Sequence, residues 1–174
     1  MKVTVIGGGP GGLYFSILLK KAMADCDINI YERNRADDSF GFGVVFSYET
    51  LSEFLSRDPQ SYELIRTKFA YWDELDVARD GEKVRITGNG FCGCSRKTLL
   101  QLLQQRCREE GVNLHFEANV DDLSQFADSD IIVAADGINS GIREKYINDF
   151  GTRTELKSNR FVWMGSTRPL DAFT

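Results

Sequence analysis

Several features are scarce in this chain of 174 residues, and each scarcity excludes a class of protein. No apolar run approaches the roughly 18 residues that a membrane-spanning helix needs, so no membrane role is predicted. The 21 basic residues are outnumbered by 26 acidic ones, for a net charge of −5 without a basic tract, which argues against nucleic-acid binding. The single histidine, His115, lies far along the chain from any glycine-rich motif, so we expect it to be structural.

A glycine-rich turn joins the first predicted strand, residues 3–6, to a predicted helix that includes Leu13. The turn matches G-x-G-x-x-G with Gly7, Gly9 and Gly12 at the fixed positions. In this pattern Gly7 permits the tight turn, Gly9 lets a pyrophosphate approach the backbone, and Gly12 lets the helix pack against the sheet. Phosphates would bind the free amides at the positive end of the helix. The turn therefore predicts a dinucleotide site.

An acidic residue stands where such a site needs one. The second apolar strand, residues 28–31, ends at Glu32, which lies 20 residues after Gly12. A carboxylate at that place can accept hydrogen bonds from both ribose hydroxyls of an adenosine. Strand, turn, helix, strand and acid thus follow in the order that a dinucleotide-binding unit requires.

The cysteines are predicted to be structural. A glycine turn that begins at residue 7 leaves no room for a cleaved leader, so we expect a soluble cytoplasmic protein, in which disulfides are rare. Cys92 and Cys94 are one residue apart with no histidine or cysteine cluster nearby, which fits alternation along a strand better than a metal site. Cys26 and Cys107 fit small buried fillers.

Strands and helices alternate beyond the first βαβ unit. Asp80-Gly81 is the turn signal of a hairpin, and Ser95 is a predicted helix N-cap. The apolar run 130–134 predicts a strand in the middle of a parallel sheet that is covered on both faces. The other predicted elements are a helix over 48–57 that Pro59 ends, β structure over 69–87, a helix over 96–110 that Gly111 ends, and strands over 113–117 and 160–165.

A second motif follows the strand at 130–134. Asp136-Gly137 would form a turn at the carboxyl end of that strand, where parallel sheets bind ligands, and Ser140 would cap the helix that contains Arg143. The segment resembles the Asp-Gly motif of flavoprotein aromatic hydroxylases, the para-hydroxybenzoate hydroxylase class. In that family the segment lies along bound FAD, and its aspartate also has a place in NAD(P)H binding. A plain strand-to-helix turn would use the same residue types.

Further segments narrow the resemblance. Arg96-x-x-Leu99 matches a helix start whose arginine the family places near the FAD ribose and pyrophosphate, although a solvated arginine fits the same position. Residues 41–51, 90–100 and 163–174 look like the salicylyl-CoA 5-hydroxylase and 2-aminobenzoyl-CoA monooxygenase branch. The tryptophan hydroxylase of violacein biosynthesis shares Gly-x-Gly-Val-Val. The family's later Gly-Asp motif is missing, so we expect the N-terminal portion of a longer monooxygenase, without the second half of its substrate domain.

The resemblance implies an α/β, Rossmann-like FAD/NAD(P)-binding fold with a parallel sheet and an inserted β layer that starts a substrate domain. One FAD-binding domain would span residues 1–174, with the inserted hairpin region at about 69–94. The implied candidate cofactor-binding residues are Gly7, Gly9, Pro10, Gly11, Gly12, Leu13, Glu32, Arg33, Gly43, Arg96, Asp136 and Gly137. No catalytic residue and no metal ligand is assigned.

The resemblance also implies a reaction. NADH or NADPH would reduce FAD, O2 would form a flavin C4a-hydroperoxide, and this would hydroxylate a small aromatic substrate such as salicylyl-CoA or 2-aminobenzoyl-CoA. The loop at Gly41-Phe42-Gly43 would contact the isoalloxazine, unless Phe42 is a core residue, and Phe69, Tyr71 and Trp72 would line a pocket or the core. The alternatives are a tryptophan-hydroxylase-like enzyme, another FAD oxidoreductase on this fold, or a nucleotide-binding fragment without turnover.

Overall fold

The chain folds into two compact units, each with its own sheet. The structure is a computed structural model and describes residues 1–160, 162, 167 and 171–174. The first unit comprises residues 1–38 and 103–160, and the second comprises residues 39–102 and 161–174. The strands are β1 (Lys2–Ile6), β2 (Asp27–Tyr31), β3 (Gly43–Ser47), β4 (Ala70–Arg79), β5 (Glu82–Ser95), β6 (Asn113–His115) and β7 (Ile131–Ala134).

The chain combines helices with a parallel and an antiparallel sheet, which gives the α/β class that the sequence predicts. No helix among the described residues is long and apolar enough to cross a membrane. The strand predicted at 160–165 falls largely outside the described residues. The helices are α1 (Pro10–Ala22), α2 (Tyr48–Arg57), α3 (Pro59–Arg66), α4 (Arg96–Glu109), α5 (Gly141–Lys145) and α6 (Ile147–Phe150), with a 3-10 helix at Leu123–Phe126.

The first unit is built on a parallel sheet with the strand order β6-β2-β1-β7. Apolar side chains alternate along its two inner strands, and Val3, Val5, Ile28 and Ile30 are almost fully buried. Leu13 and Ile17 form the buried face of α1. Burial of this apolar surface is the main force that holds such a layer together.

One predicted strand takes a different place in that sheet. Residues 130–134 were expected in the middle, but within the described residues β7 pairs with β1 alone and forms an edge. Ile132 packs against the cluster of Ile6, Phe126 and Ile142, whereas Ile131 is 45% exposed. An apolar run reports burial on at least one face, but it does not report the number of neighbouring strands.

The second unit is built on an antiparallel sheet with the strand order β3-β5-β4. The predicted hairpin is present, and Asp80 and Gly81 both have positive φ, at 53° and 83°. A two-residue turn with positive φ at both positions matches the right-handed twist of the strands. The register of β4 against β5 shifts between Trp72 and Glu74, because β4 advances two residues there while β5 advances four, from Phe91 to Thr87. The extra residues of this irregularity therefore lie in β5.

The helix α4 follows its predicted cap, α2 has its predicted bounds, and α3 was not predicted. Ser95 Oγ accepts a hydrogen bond from the Thr98 amide at 3.1 Å, so α4 begins where the sequence predicts. The helix α2 has the predicted bounds, but Pro59 also begins α3. Asp58 caps α3 through the Ser61 amide, and a proline directly after such a cap is favoured because its missing N–H is not needed there.

Candidate nucleotide site

The glycine turn between β1 and α1 needs glycine at two of its three fixed positions for steric reasons. Gly7 has a φ of 110°, and a Cβ added there would lie 2.3 Å from the Ala135 carbonyl oxygen. A Cβ added at Gly12 would lie 2.2 Å from the Gly7 carbonyl oxygen and 3.3 Å from Val5 Cγ1. The two distances to carbonyl oxygens, 2.3 and 2.2 Å, are far below van der Waals contact. The turn therefore packs against the end of β7 and the face of β1.

The third fixed glycine faces open space. A Cβ added at Gly9 would meet no atom within 4 Å. Gly9 is the N-cap of α1, no side chain caps it, and the first turn of the helix carries no acidic residue. Pro10 has no backbone N–H, so Gly11 and Gly12 supply the free N–H groups of this first turn. An uncapped helix N-terminus with an open approach suits an anionic phosphate.

Leu13 supports this turn from within. Its amide donates to the Gly9 carbonyl at 3.0 Å, and its side chain is fully buried. The Leu13 carbonyl accepts a hydrogen bond from Cys107 Sγ at 3.4 Å, and burial raises the pKa of that thiol to about 12. Cys107 is thus a neutral packing residue at physiological pH, in agreement with the structural role predicted for it.

The predicted acid reaches the glycine turn. Glu32 Oε2 accepts a hydrogen bond from the Gly8 amide at 2.7 Å. Its Oε1 accepts from the Asn34 amide at 2.8 Å and from Asn34 Nδ2 at 2.6 Å. A Cβ added at Gly8 would lie 2.9 Å from Glu32 Cβ, so Gly8 must also be small. Sequence reasoning missed Gly8 and Asn34, since the fingerprint leaves both positions open. Arg33, also a candidate, is exposed.

The Asp-Gly motif lies next to the same turn. The amide nitrogen of Asp136 would be 2.8 Å from a Cβ at Gly7. Asp136 Oδ1 accepts from Ser140 Oγ at 2.5 Å, and Ser140 Oγ accepts from the Arg143 amide at 3.0 Å, which confirms the predicted cap. Gly137 has a φ of 89°. The carboxylate of Asp136 is thus engaged in ordering the turn that opens α5.

The remaining two candidates, Gly43 and Arg96, lie together in the second unit. Gly43 pairs with Ser95 in the sheet, and the Arg96 amide donates to the Phe42 carbonyl at 3.2 Å. Arg96 is half-buried. Phe42 is 67% exposed, so it is not a core residue. The loop therefore presents an exposed aromatic residue whose backbone is hydrogen-bonded to that of a cationic residue.

The three aromatic residues expected to line a pocket or the core point to opposite faces of the second sheet. Phe69 and Tyr71 contact each other with ring centroids 6.3 Å apart, whereas the Trp72 ring lies 5.9 Å from that of Phe173. Alternation along β4 separates Tyr71 from Trp72.

A further aromatic residue of the second unit, Tyr48, is hydrogen-bonded. Tyr48 Oη donates to Asp73 at 2.8 Å, and this hydrogen bond raises the pKa of Tyr48 to about 12.

The single histidine is a surface residue of the parallel sheet. His115 is exposed, and its ring stacks on Tyr31 with centroids 4.6 Å apart. Its Nε2 lies 3.1 Å from Asn29 Oδ1. These contacts join β2 to β6, which is the structural role predicted for this residue.

Comparison with curated proteins finds relatives over the whole chain, although no protein-family model matches it. Salicyloyl-CoA 5-hydroxylase of Streptomyces sp is 44% identical over 174 residues, which are 100% of this chain and 34% of the relative. A 3-hydroxy-4-methyl-anthranilyl-(aryl-carrier protein) 5-monooxygenase of Streptosporangium sibiricum is 31% identical over 98% of the chain and 48% of the relative. Protodeoxyviolaceinate monooxygenase of Chromobacterium violaceum is 29% identical over 98% and 46%. The chain thus spans a third to a half of these relatives.

Solved structures share the fold at lower identity. The tetrameric form of 2-methyl-3-hydroxypyridine-5-carboxylic acid oxygenase has a TM-score of 0.70 and 22% identity, over 82% of this chain and 41% of that one. The Diels-Alderase PyrE3 of pyrroindomycin biosynthesis has a TM-score of 0.64 and 20% identity, over 83% and 34%. At such identities the likeness concerns the fold. The identity to the curated relatives is higher and confirms the resemblance to the salicylyl-CoA 5-hydroxylase branch. Over its full length the chain is a homologue of the named hydroxylase and monooxygenase relatives.

Proposed function

We propose that the chain is the FAD-binding part of a flavin-dependent monooxygenase that hydroxylates an activated aromatic substrate carried as a thioester. The observation that carries the proposal is the 44% identity to salicyloyl-CoA 5-hydroxylase over all 174 residues. Identity of that extent, without gaps in coverage, favours a common cofactor and a related reaction.

The geometry of the glycine turn supports FAD as the ligand. Gly11 and Gly12 offer amides at an uncapped helix N-terminus, and the open face at Gly9 leaves room for a pyrophosphate. Glu32 lies against Gly8 at the end of β2, where it would accept a hydrogen bond from the adenosine ribose. The turn at Asp136 lies against Gly7 at the carboxyl end of the sheet, along which the ligand would continue.

When bound, FAD would supply the redox chemistry: reduction by NADH or NADPH, and transfer of one oxygen atom from O2 to the aromatic ring. The residues of this chain would bind and orient it. Arg96, which begins α4, would interact with the negative charge of the cofactor as a cation. Gly43, the first residue of β3, would let a flat ring approach the backbone, and the exposed Phe42 would shield it from water.

The names of two relatives favour a thioester substrate. One acts on a salicyloyl-CoA and the other on an anthranilyl group held by an aryl-carrier protein. Both names describe a benzoyl thioester whose ring bears a hydroxyl or amino group. We therefore propose an aryl-CoA such as salicylyl-CoA or 2-aminobenzoyl-CoA as the first substrate class, and the same aryl group on a carrier protein as the second.

The experiment is a visible absorbance spectrum of the purified protein with added FAD, followed by anaerobic addition of NADH or NADPH. A retained flavin that NAD(P)H bleaches faster with salicylyl-CoA than with free salicylate would support the thioester hydroxylase. Equal rates with both would point to another FAD oxidoreductase on this fold. A protein that retains no FAD would refute the proposal, and binding of ADP alone would then indicate a nucleotide-binding module.

A further inference from the structure

The carboxylate of Glu32 is held at both of its oxygens before any ligand is considered. A carboxylate has about four acceptor positions, two on each oxygen. The Asn34 amide and Asn34 Nδ2 occupy both positions on Oε1, at 2.8 and 2.6 Å. The Gly8 amide occupies one position on Oε2, at 2.7 Å. The donors among the described residues therefore leave a single acceptor position, and it lies on the oxygen that faces the glycine turn.

The backbone around this acid is fixed independently of its side chain. The Glu32 amide donates to the His115 carbonyl at 2.8 Å, and the Ala118 amide donates to the Glu32 carbonyl at 2.9 Å. The Glu117 amide donates to the Asn34 carbonyl at 3.1 Å. These bonds tie residues 32–34 to the end of β6 and to the segment that follows it. The direction of the carboxylate is then determined by its own two partners, Gly8 and Asn34.

We propose that Asn34 is a positioning residue that saturates Oε1 of Glu32 and so leaves Oε2 to accept one ribose hydroxyl of the dinucleotide. The inference rests on the proposed FAD site and revises the expectation that Glu32 binds both hydroxyls. Two charge-neutral donors on one oxygen fix the rotamer of Glu32 at no electrostatic cost. Since Oε2 already accepts from Gly8, the bound ribose and the glycine turn share that oxygen.

The first test concerns the unliganded chain. The exchange of the Gly8 amide with solvent is measured by NMR in the parent, Asn34→Ala and Asn34→Asp. We expect exchange to become about three- to tenfold faster in Asn34→Ala, the equivalent of one lost hydrogen bond, and faster still in Asn34→Asp, which places a second carboxylate beside Glu32. The amide of Ile30 in β2 should be unchanged. Unchanged exchange at Gly8 in both variants would overturn the proposal.

Asn119→Ala is the matched control. Asn119 Nδ2 donates to Asp121 Oδ1 at 2.8 Å, two residues away, which is the same type of pair as Asn34 with Glu32. Asn119 is exposed and lies outside the candidate site. We expect this variant to leave exchange at Gly8 and FAD affinity unchanged. An equal effect of Asn119→Ala would show that Asn34 has no special role.

The second test is a double-mutant cycle on FAD affinity, followed by quenching of flavin fluorescence. Asn34→Ala should weaken binding about three- to tenfold when Glu32 is present and should have no effect in a Glu32→Ala background. An equal loss in both backgrounds would overturn the proposal, because Asn34 would then act without Glu32. FAD analogues lacking the adenosine 2′- or 3′-hydroxyl complete the test. In the parent, removal of one of the two hydroxyls should weaken binding, and Glu32→Ala should abolish that loss of affinity. If Glu32→Ala abolished the loss of affinity for both analogues, Glu32 would bind both hydroxyls and the single acceptor position would be overturned.

The two tests separate this inference from the proposed function. If the parent chain binds no FAD, the proposed function and the ribose contact both fail. Exchange at Gly8 still decides whether Asn34 positions Glu32, because that measurement needs no ligand.

Discussion

Replacement of Gly12 by alanine is the sharpest test of the packing between the glycine turn and the sheet. The added Cβ would lie 2.2 Å from the Gly7 carbonyl oxygen, 3.3 Å from Ala135 Cβ and 3.3 Å from Val5 Cγ1. The closest of these atoms belongs to the backbone, so a side-chain rotation cannot relieve the overlap. The helix must move away from the sheet, or the turn must open.

The neighbouring Gly11 provides the reference for the magnitude. It lies in the same first turn of α1, and a Cβ added there would meet no atom within 4 Å. Both substitutions gain a similar helix propensity, about 0.5–1 kcal/mol relative to glycine. The difference between the two variants therefore isolates the overpacking, which typically costs about 1–3 kcal/mol. We expect Gly12→Ala to be less stable than Gly11→Ala by that amount.

Urea unfolding followed by circular dichroism measures this difference. With an m-value of about 2 kcal/mol/M, the midpoint of Gly12→Ala should lie roughly 0.5–1.5 M below that of Gly11→Ala. FAD affinity of Gly12→Ala should fall as well, because a shift of the helix would displace the amides that we propose bind the phosphates. Equal midpoints for the two variants would refute the close approach of α1 to the turn.

Two further predictions concern the second unit. Asp76→Asn should make the free energy of unfolding less sensitive to acid. Arg85 and Lys83 hold the pKa of Asp76 below its ordinary value, so the stabilisation is present above the unfolded-state pKa near 4 and is lost as pH falls through the lower folded-state pKa. Acid unfolding followed by fluorescence checks this difference. Tyr48→Phe should remove one phenol that ionises at about pH 12 in a spectroscopic titration. Asp73→Asn should lower the pKa of Tyr48 toward 10, because it weakens the hydrogen bond that raises this pKa. An unshifted Tyr48 titration in Asp73→Asn would exclude the Tyr48–Asp73 hydrogen bond.

The elements that the sequence predicts best are those that only certain residues permit. Gly7 and Gly12 fill positions that a Cβ would obstruct, and Asp80-Gly81 has the positive φ values that its hairpin turn needs. Ser95 caps α4 through a contact three residues away, within reach of a local pattern. In each case the structural requirement and the residue type are linked over a few positions, so one sequence is enough to read them.

The features that the sequence did not predict depend on partners far along the chain, or on a residue with two roles. The apolar run of β7 did not indicate that β1 would be its sole partner within the part of the chain that the structure describes. Pro59 follows the end of α2 and is also the first residue of α3. The sequence pattern indicated only the first of these roles, so α3 was not predicted. Strand alternation places Trp72 and Tyr71 on opposite faces of β4. The partners of Glu32 were equally hidden, since a ribose fingerprint places the acid but not the residue that orients it.

The fold alone does not determine which reaction the protein catalyses, so the reaction must be inferred from the residues of the candidate site and from the substrate. An oxygenase and a Diels-Alderase match this chain with TM-scores of 0.70 and 0.64, so the same arrangement of sheets and helices serves different chemistry. The glycine turn and Glu32 argue for a dinucleotide, which both reactions could accommodate. The choice of reaction therefore depends on the substrate, and faster flavin reduction with an aryl thioester than with the free acid is the result that would connect this site to hydroxylation.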